Sequence, residues 1–178
     1  SMLSINVQLE VMILEGMPIY GRYMTHLTKG LCSNRSLKII NFARTKMGDE
    51  ACEILCSNIK HLTNIESVNL SQCNLGLKGA ESVRDFIRFQ KIHRFSEAWI
   101  RSLRYQNVDT ELFDGVKKIY LNNNPQIGDE GLEILTDELK EDVWVKEMEM
   151  QNCGLTSDGA AHIMNCLQIN KTILNFNV

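Results

Sequence analysis

The chain predicts an α/β solenoid: strand–helix units winding into a right-handed horseshoe, a parallel sheet on the concave side and helices on the convex side. Two observations carry this. The stretch Val116–Gly131, VKKIYLNNNPQIGDEG, places apolar residues at Val116, Ile119 and Leu121, then Asn124 and Ile127, then a Gly-Asp-Glu-Gly helix start. The phrase returns at Val145–Gly159, where Val145, Met148, Met150, Cys153 and Leu155 hold the same relative places. Leu9, Leu37, Ile65, Val116, Val145 and Ile173 lead six such phrases, at spacings of 28, 28, 51, 29 and 28 residues.

The phrase is L-x-x-L-x-L-x-x-N/C-x-L followed by a helix, the leucine-rich-repeat pattern, whose period is roughly 20–29 residues. The spacing of 51 is one repeat of 28 plus about 23 inserted residues. The organisation is therefore a single domain over residues 1–178, with an insertion at 89–114 between repeats three and four.

In the first repeat Met12, Leu14, Met17 and Ile19 are the buried positions, and Tyr23, Leu27 and Leu31 recur every four residues as a helix face. Met17 stands where the template has Asn or Cys, so this turn is degenerate. The second repeat buries Leu37, Ile40, Phe42, Thr45 and Met47, then Ala51, Ile54, Leu55 and Ile59 on its helix. Asp49 is placed to cap that helix, an effect of about 1 kcal/mol, and Glu50 favours its dipole. In the third, Gly79 and Ala80 permit close approach of helix to sheet, and Val83, Phe86 and Ile87 face inward.

The insertion holds neither Pro nor Gly through residue 114. Phe95, Trp99, Ile100 and Leu103 share a helical face, and Ser96-Glu97 is placed to start a short helix. From Arg84 to Arg104 six cations face two acids, a net of +4. The fourth repeat carries an acidic helix with seven acids from Asp129 to Asp142. The fifth closes with the helix carrying Ala160, Ile163, Met164 and Leu167. The sixth stops within its strand, so the expectation is a piece of a longer protein with further repeats or a cap beyond Val178, since a solenoid exposes its core at uncapped ends.

A net charge of −3 argues against general phosphate-backbone binding. No apolar run approaches the ~18 residues of a membrane span. Cys73 and Cys153 occupy the N/C position and the other four cysteines fall in helices, which reads as free thiols serving as small core residues. Cys52 with Cys56, and His162 with Cys166, have the spacing that puts two metal ligands on one helix face, but third and fourth ligands are not evident. The four histidines are scattered, and no phosphate loop or nucleophile elbow occurs. The reading is a protein that is not an enzyme and needs no cofactor.

Alternation along strands turns the residues between apolar positions into the hollow. This gives a central row Ile13, Asn41, Asn69, Tyr120, Glu149 and Asn177, and a flanking row Val11, Ile39, Ser67, Lys118, Glu147 and Asn175. The candidate protein-binding residues on this face are Ile13, Asn41, Asn69, Lys118, Tyr120, Glu147 and Glu149. A second candidate surface is the insertion, with Trp99 and Tyr105 as aromatic anchors ringed by Arg94, Arg101 and Arg104, residue types enriched among interface hot spots. The competing reading packs Phe95, Trp99 and Leu103 on the edge of repeats three and four, with the cations against the acidic helix.

Glu97-Ala98-Trp99 followed by Ser102-Leu103-Arg104-Tyr105, together with Ile127-Gly128-Asp129, Glu141-Asp142-Val143-Trp144 and Asn152-Cys153-Gly154-Leu155-Thr156, resembles the repeat region of the family of centrosomal proteins of seventy-eight kilodaltons. The repeat length is similar to that of ribonuclease-inhibitor-type repeats. The resemblance implies a non-enzymatic protein of the centrosome, on the centriole or basal body. It further implies protein partners, among them centriolar proteins or a cullin-based ubiquitin ligase, and a role in cilium formation. It implies no residue-level site. The alternative is a regulator of a small GTPase, or the repeat region of an innate-immune-type sensor.

Overall fold

The computed structural model describes residues 8–104, 109 and 113–178. Strands and helices alternate: β1 (Val11–Ile13), α1 (Gly21–Leu31), β2 (Ile39–Asn41), α2 (Gly48–Ile59), β3 (Ser67–Asn69), α3 (Leu77–Leu103), β4 (Lys118–Tyr120), α4 (Gly128–Leu139), β5 (Glu147–Glu149), α5 (Ser157–Ile169) and β6 (Asn175–Asn177). The strands form one parallel sheet in sequence order. Each helix packs against the next along the chain. This is the leucine-rich-repeat solenoid.

The middle residue of each strand points into the space between sheet and helices, and Met12, Ile40, Val68, Ile119 and Met148 are buried there. Leu37, Ile65, Val116 and Val145, which lead their repeats, are buried with them, as are Leu55, Ile59, Leu132, Leu135 and Leu139 from the helices. Three-residue strands suffice because each is one rung of a continuous ladder, and each repeat buries its apolar face only against its neighbours.

In repeats three to five the turn after the strand is closed by the N/C position. Asn124, fully buried, donates from Nδ2 to the carbonyls of Leu70 and Leu121 at 3.0 and 2.7 Å, and its Oδ1 accepts from the amides of Cys73 and Leu75 at 3.0 and 3.1 Å. Cys73 and Cys153 do part of the same work, each thiol reaching a carbonyl at 3.1 Å, of Phe42 and Leu121 respectively. Burial raises both thiols above the ordinary cysteine value.

The Gly-Asp-Glu helix start works between repeats. Asp49 Oδ1 accepts from the amides of Gly76 and Gly79, at 2.8 and 3.1 Å, so it caps the following helix rather than its own. Asp129 repeats this one pair further on, accepting from the Thr156 amide at 2.9 Å and from the Thr156 hydroxyl. Glycine stands at 79 and 159 because a Cβ there would collide with the bridging carboxylate. The Thr156 bonds hold the Asp129 carboxyl below its ordinary range. A depressed carboxyl contributes stability that is present above its unfolded value, near pH 4, and lost as pH falls through the folded one. Asp129→Ala is therefore expected to unfold at lower urea than wild type at about pH 7, with the gap closing at about pH 3; urea titrations at both pH values measure it.

Further expectations need correction. Met17, expected to be buried, is 52% exposed. On α1 the buried residues are Met24, Thr28, Gly30 and Leu31, while Tyr23 is exposed with its hydroxyl 2.7 Å from Arg22 Nη2. On α5 only Gly159 and Cys166 are buried; Ala160 and Met164 are exposed and Ile163 and Leu167 are partly covered, because this helix has a neighbouring helix on one side only. The insertion does not start a new helix at Ser96: α3 runs unbroken from Leu77 to Leu103.

Two candidate protein-binding surfaces

The point of insertion can be read from Gln90. In three of the other four helix-to-strand turns an Asx residue lies three places before the lead: Asn34, Asp142 and Asn170, each accepting from the amides two and three residues on, while Leu62 holds that place in the fourth. Asn170 also donates to the carbonyls of Leu139 and Asp142 at 2.6 and 2.7 Å. Gln90, 28 residues after Leu62, sits at the equivalent place in the register. It donates to the carbonyls of Lys60 and Leu62, both at 3.1 Å, and accepts from the Val116 amide at 3.2 Å. The inserted residues therefore begin after Gln90: α3 continues for three more turns, and the chain rejoins the repeat at Phe113.

Arg94 closes the base of this extension. It is 2% exposed, and it donates to the carbonyls of Asp114 and Val116, both at 3.0 Å, and to Gln90 Oε1 at 3.1 Å. Its guanidinium also stands 5.4 Å from the centre of the buried Trp144 ring. Gly115, at φ +125°, lies where a Cβ would overlap the guanidinium. Burial lowers the Arg94 pKa to about 10, against the opposing pull of Asp142 and Asp114. Asp142 is raised by burial, even though it accepts from the Val145 and Trp144 amides. Phe95 and Phe113 meet Trp144 edge-on, at ring distances of 4.8 and 6.2 Å.

Arg94 is thus an internal clasp and does not ring an exposed patch. Burying a guanidinium demands fixed acceptors, and three are built around it. Nor do all the cations face solvent: Arg88 and Lys91 both reach the Glu138 carboxylate, at 2.8 and 2.6 Å, so part of the charge does lie against the acidic helix. Arg101 pairs with Glu97 at 2.6 Å and lies over the Phe113 ring at 4.6 Å, facing the body. Arg104 and Trp99 are exposed, Trp99 to 67%. Tyr105 lies outside the described residues. Gln90 and Phe113 were not singled out in the sequence; the 28-residue offset from Leu62 was the available signal for Gln90.

The concave face has the rows the alternation predicts. Val11, Ile39, Ser67, Lys118, Glu147 and Asn175 pair in one register, and Ile13, Asn41, Asn69, Tyr120, Glu149 and Asn177 in the other. Asn41 and Asn69 accept from the amides of Ala43 and Ser71, at 2.8 and 2.9 Å. Lys118 bonds Glu147 at 3.1 Å, which raises the ammonium and lowers the carboxyl. Asn122 donates to Glu149 at 2.7 Å. Burial, then Glu147, raises Tyr120, keeping its hydroxyl protonated. Ile13 and Ile39 are exposed at the other end. The gradient runs from apolar at β1 and β2, through amide at β3, to mixed charge at β4 and β5.

Elsewhere a cleft of about 330 Å³ between α2 and α3 is lined by charges of both signs, including Glu53, Lys60, Lys78 and Asp85. The six cysteines are free, and Cys52 and Cys56 lie 3.9 Å apart in the core. Among the described residues no three His, Cys, Asp or Glu side chains converge on a metal-sized site. None of the described helices is long and apolar enough to cross a membrane.

The fold and the outward-facing rows define a leucine-rich-repeat domain. A family model described as Leucine Rich repeat matches residues 61–83. Over nearly its whole length the chain is similar to centrosomal proteins of 78 kDa. It is 43% identical over 98% of its length to the Cep78 homolog of Drosophila melanogaster, covering 21% of that protein. It is 36% identical over 99% of its length to the Mus musculus centrosomal protein of 78 kDa, of which it covers 22%, and 35% identical over 99% to that of Homo sapiens, of which it covers 26%. The chain thus spans about a fifth to a quarter of these relatives. A NACHT, LRR and PYD domains-containing protein of Homo sapiens matches at 23% over 86% of the chain, covering 12% of that protein. Among solved structures, the Leiomodin-1 Actin-Binding Site 2 superposes with a TM-score of 0.65 over 93% of this chain and 83% of that one, at 14% identity. The Caenorhabditis elegans tropomodulin C-terminal domain gives 0.64 over 92% and 84%, at 11%. These two likenesses are of fold.

Proposed function

We propose that the chain is a non-enzymatic protein-binding scaffold of the centrosome. The concave row from Asn41 to Glu149 and the α3 extension are its two docking surfaces. The observation that carries this is the concave register, which sets Lys118, Tyr120, Glu147 and Glu149 side by side on adjacent strands with Asn41 and Asn69 beside them. Such a row offers amide, hydroxyl and charged groups to a partner without moving backbone. The names of the relatives support a site of action at the centrosome, and the family resemblance supports a part in cilium formation and contact with centriolar proteins or a cullin-based ubiquitin ligase.

The test uses two double variants. Tyr120→Ala with Glu149→Lys alters the concave row, and Trp99→Ala with Arg101→Glu alters the extension. Each is expected to keep the helical circular dichroism of wild type, and at least one to weaken capture of partners from centrosome preparations by about tenfold. Wild-type capture by both removes the two-surface reading.

A further inference from the structure

The α3 extension carries a stripe that the solenoid does not use. Ile92, Phe95, Trp99 and Leu103 recur at intervals of three, four and four residues, which at 3.6 residues per turn is one helix face. All four are exposed, and Ile100 beside them is too. The opposite face belongs to the body: Gln90 and Arg94 are buried in it, and Glu97 and Arg101 pair next to Phe113. Phe95, at the stripe's edge, meets the body through its ring contact with Trp144. A helix held rigidly at its base and apolar on its outer side is half of a helix–helix interface.

The charges around the stripe select the other half. Arg88 and Lys91 share the single carboxylate Glu138, which leaves a surplus cation at the near end. Arg104 is exposed at the far end. The acid within the extension, Glu97, is held by Arg101 on the inner side, and Asp85, further down α3, is held by Arg84 at 2.8 Å. A second copy packed antiparallel would set Arg88 of one against Arg104 of the other at both ends, a like-charge cost. We infer that the stripe docks an amphipathic helix of another protein, with apolar residues at three- and four-residue spacing and acids flanking them. This deepens the scaffold reading by stating what the extension binds.

The protein's two tryptophans make the test direct, since Trp144 is already buried and Trp99 is exposed. The probes are two synthetic helical peptides with the same leucine stripe, one flanked by glutamate and one by lysine. Tryptophan emission should shift to the blue and saturate with the glutamate peptide, and bind the lysine peptide at least about tenfold more weakly. By calorimetry, Leu103→Ser and Trp99→Ala should each weaken the glutamate peptide by about tenfold, whereas Tyr120→Ala with Glu149→Lys should leave it unchanged. Equal affinity for both peptides, or binding that survives Leu103→Ser and Trp99→Ala, overturns the proposal. So does a dimer in sedimentation that Leu103→Ser dissolves, because a second copy then occupies the stripe. If both double variants capture partners like wild type while the glutamate peptide still needs Trp99, the peptide site stands and the two-surface reading of partner capture falls.

Discussion

Replacing Asn124 by alanine is expected to lower stability by about 3 kcal/mol or more in urea unfolding. The side chain satisfies the amides of Cys73 and Leu75 and the carbonyls of Leu70 and Leu121, and alanine leaves all four without it in a dry turn. Each orphaned buried group costs about 1–3 kcal/mol, reduced where the turn can relax. Because the bonds tie repeat three to repeat four, the loss weakens a repeat interface as well as one turn. Asn124→Cys should lose less, since the thiols of Cys73 and Cys153 already reach a carbonyl at that position of their own repeats. A loss below about 1 kcal/mol for the alanine variant would show that the turn does not depend on this side chain.

Arg94→Ala is the second large effect. It removes three charge-assisted hydrogen bonds and the cation beside Trp144, and it opens a cavity under the extension. Bonds from a charged group contribute about 1.5–3 kcal/mol each, part of which is returned because burying the guanidinium is itself costly, so a net loss of about 3 kcal/mol is expected. The diagnostic is where the loss falls. Hydrogen exchange should quicken in the last turns of α3, around Trp99 and Leu103, well before α2 or α4 opens. Uniform quickening, or none, would mean that Arg94 does not clasp the extension.

Both residues bear on how much of the molecule could be read from its sequence. Asn124 was visible because the repeat template names its position, and with it came the strands, their register and the two concave rows. The alternation of three-residue strands leaves little freedom once the lead residues are aligned. Arg94 was misread because a cation two turns past a repeat helix looks like surface charge. Its burial depends on acceptors at Asp114 and Val116, 20 and 22 residues away, which no local pattern announces. Asp49 was assigned to its own helix for the same reason: capping rules are local, and its partners lie in the next repeat. The apolar stripe was half seen, since Phe95, Trp99, Ile100 and Leu103 were placed on one face, but Ile92 joined them only when α3 proved continuous.

The central claim is that this repeat domain is itself a docking platform of the centrosome. Imaging a tagged copy of the chain in ciliated cells, beside the same chain carrying Trp99→Ala with Arg101→Glu or Tyr120→Ala with Glu149→Lys, tests it most directly. The account predicts that the wild-type chain concentrates at centrosomes and that at least one folded double variant disperses. Even dispersal of the wild-type chain, or foci unchanged in both variants, would contradict it.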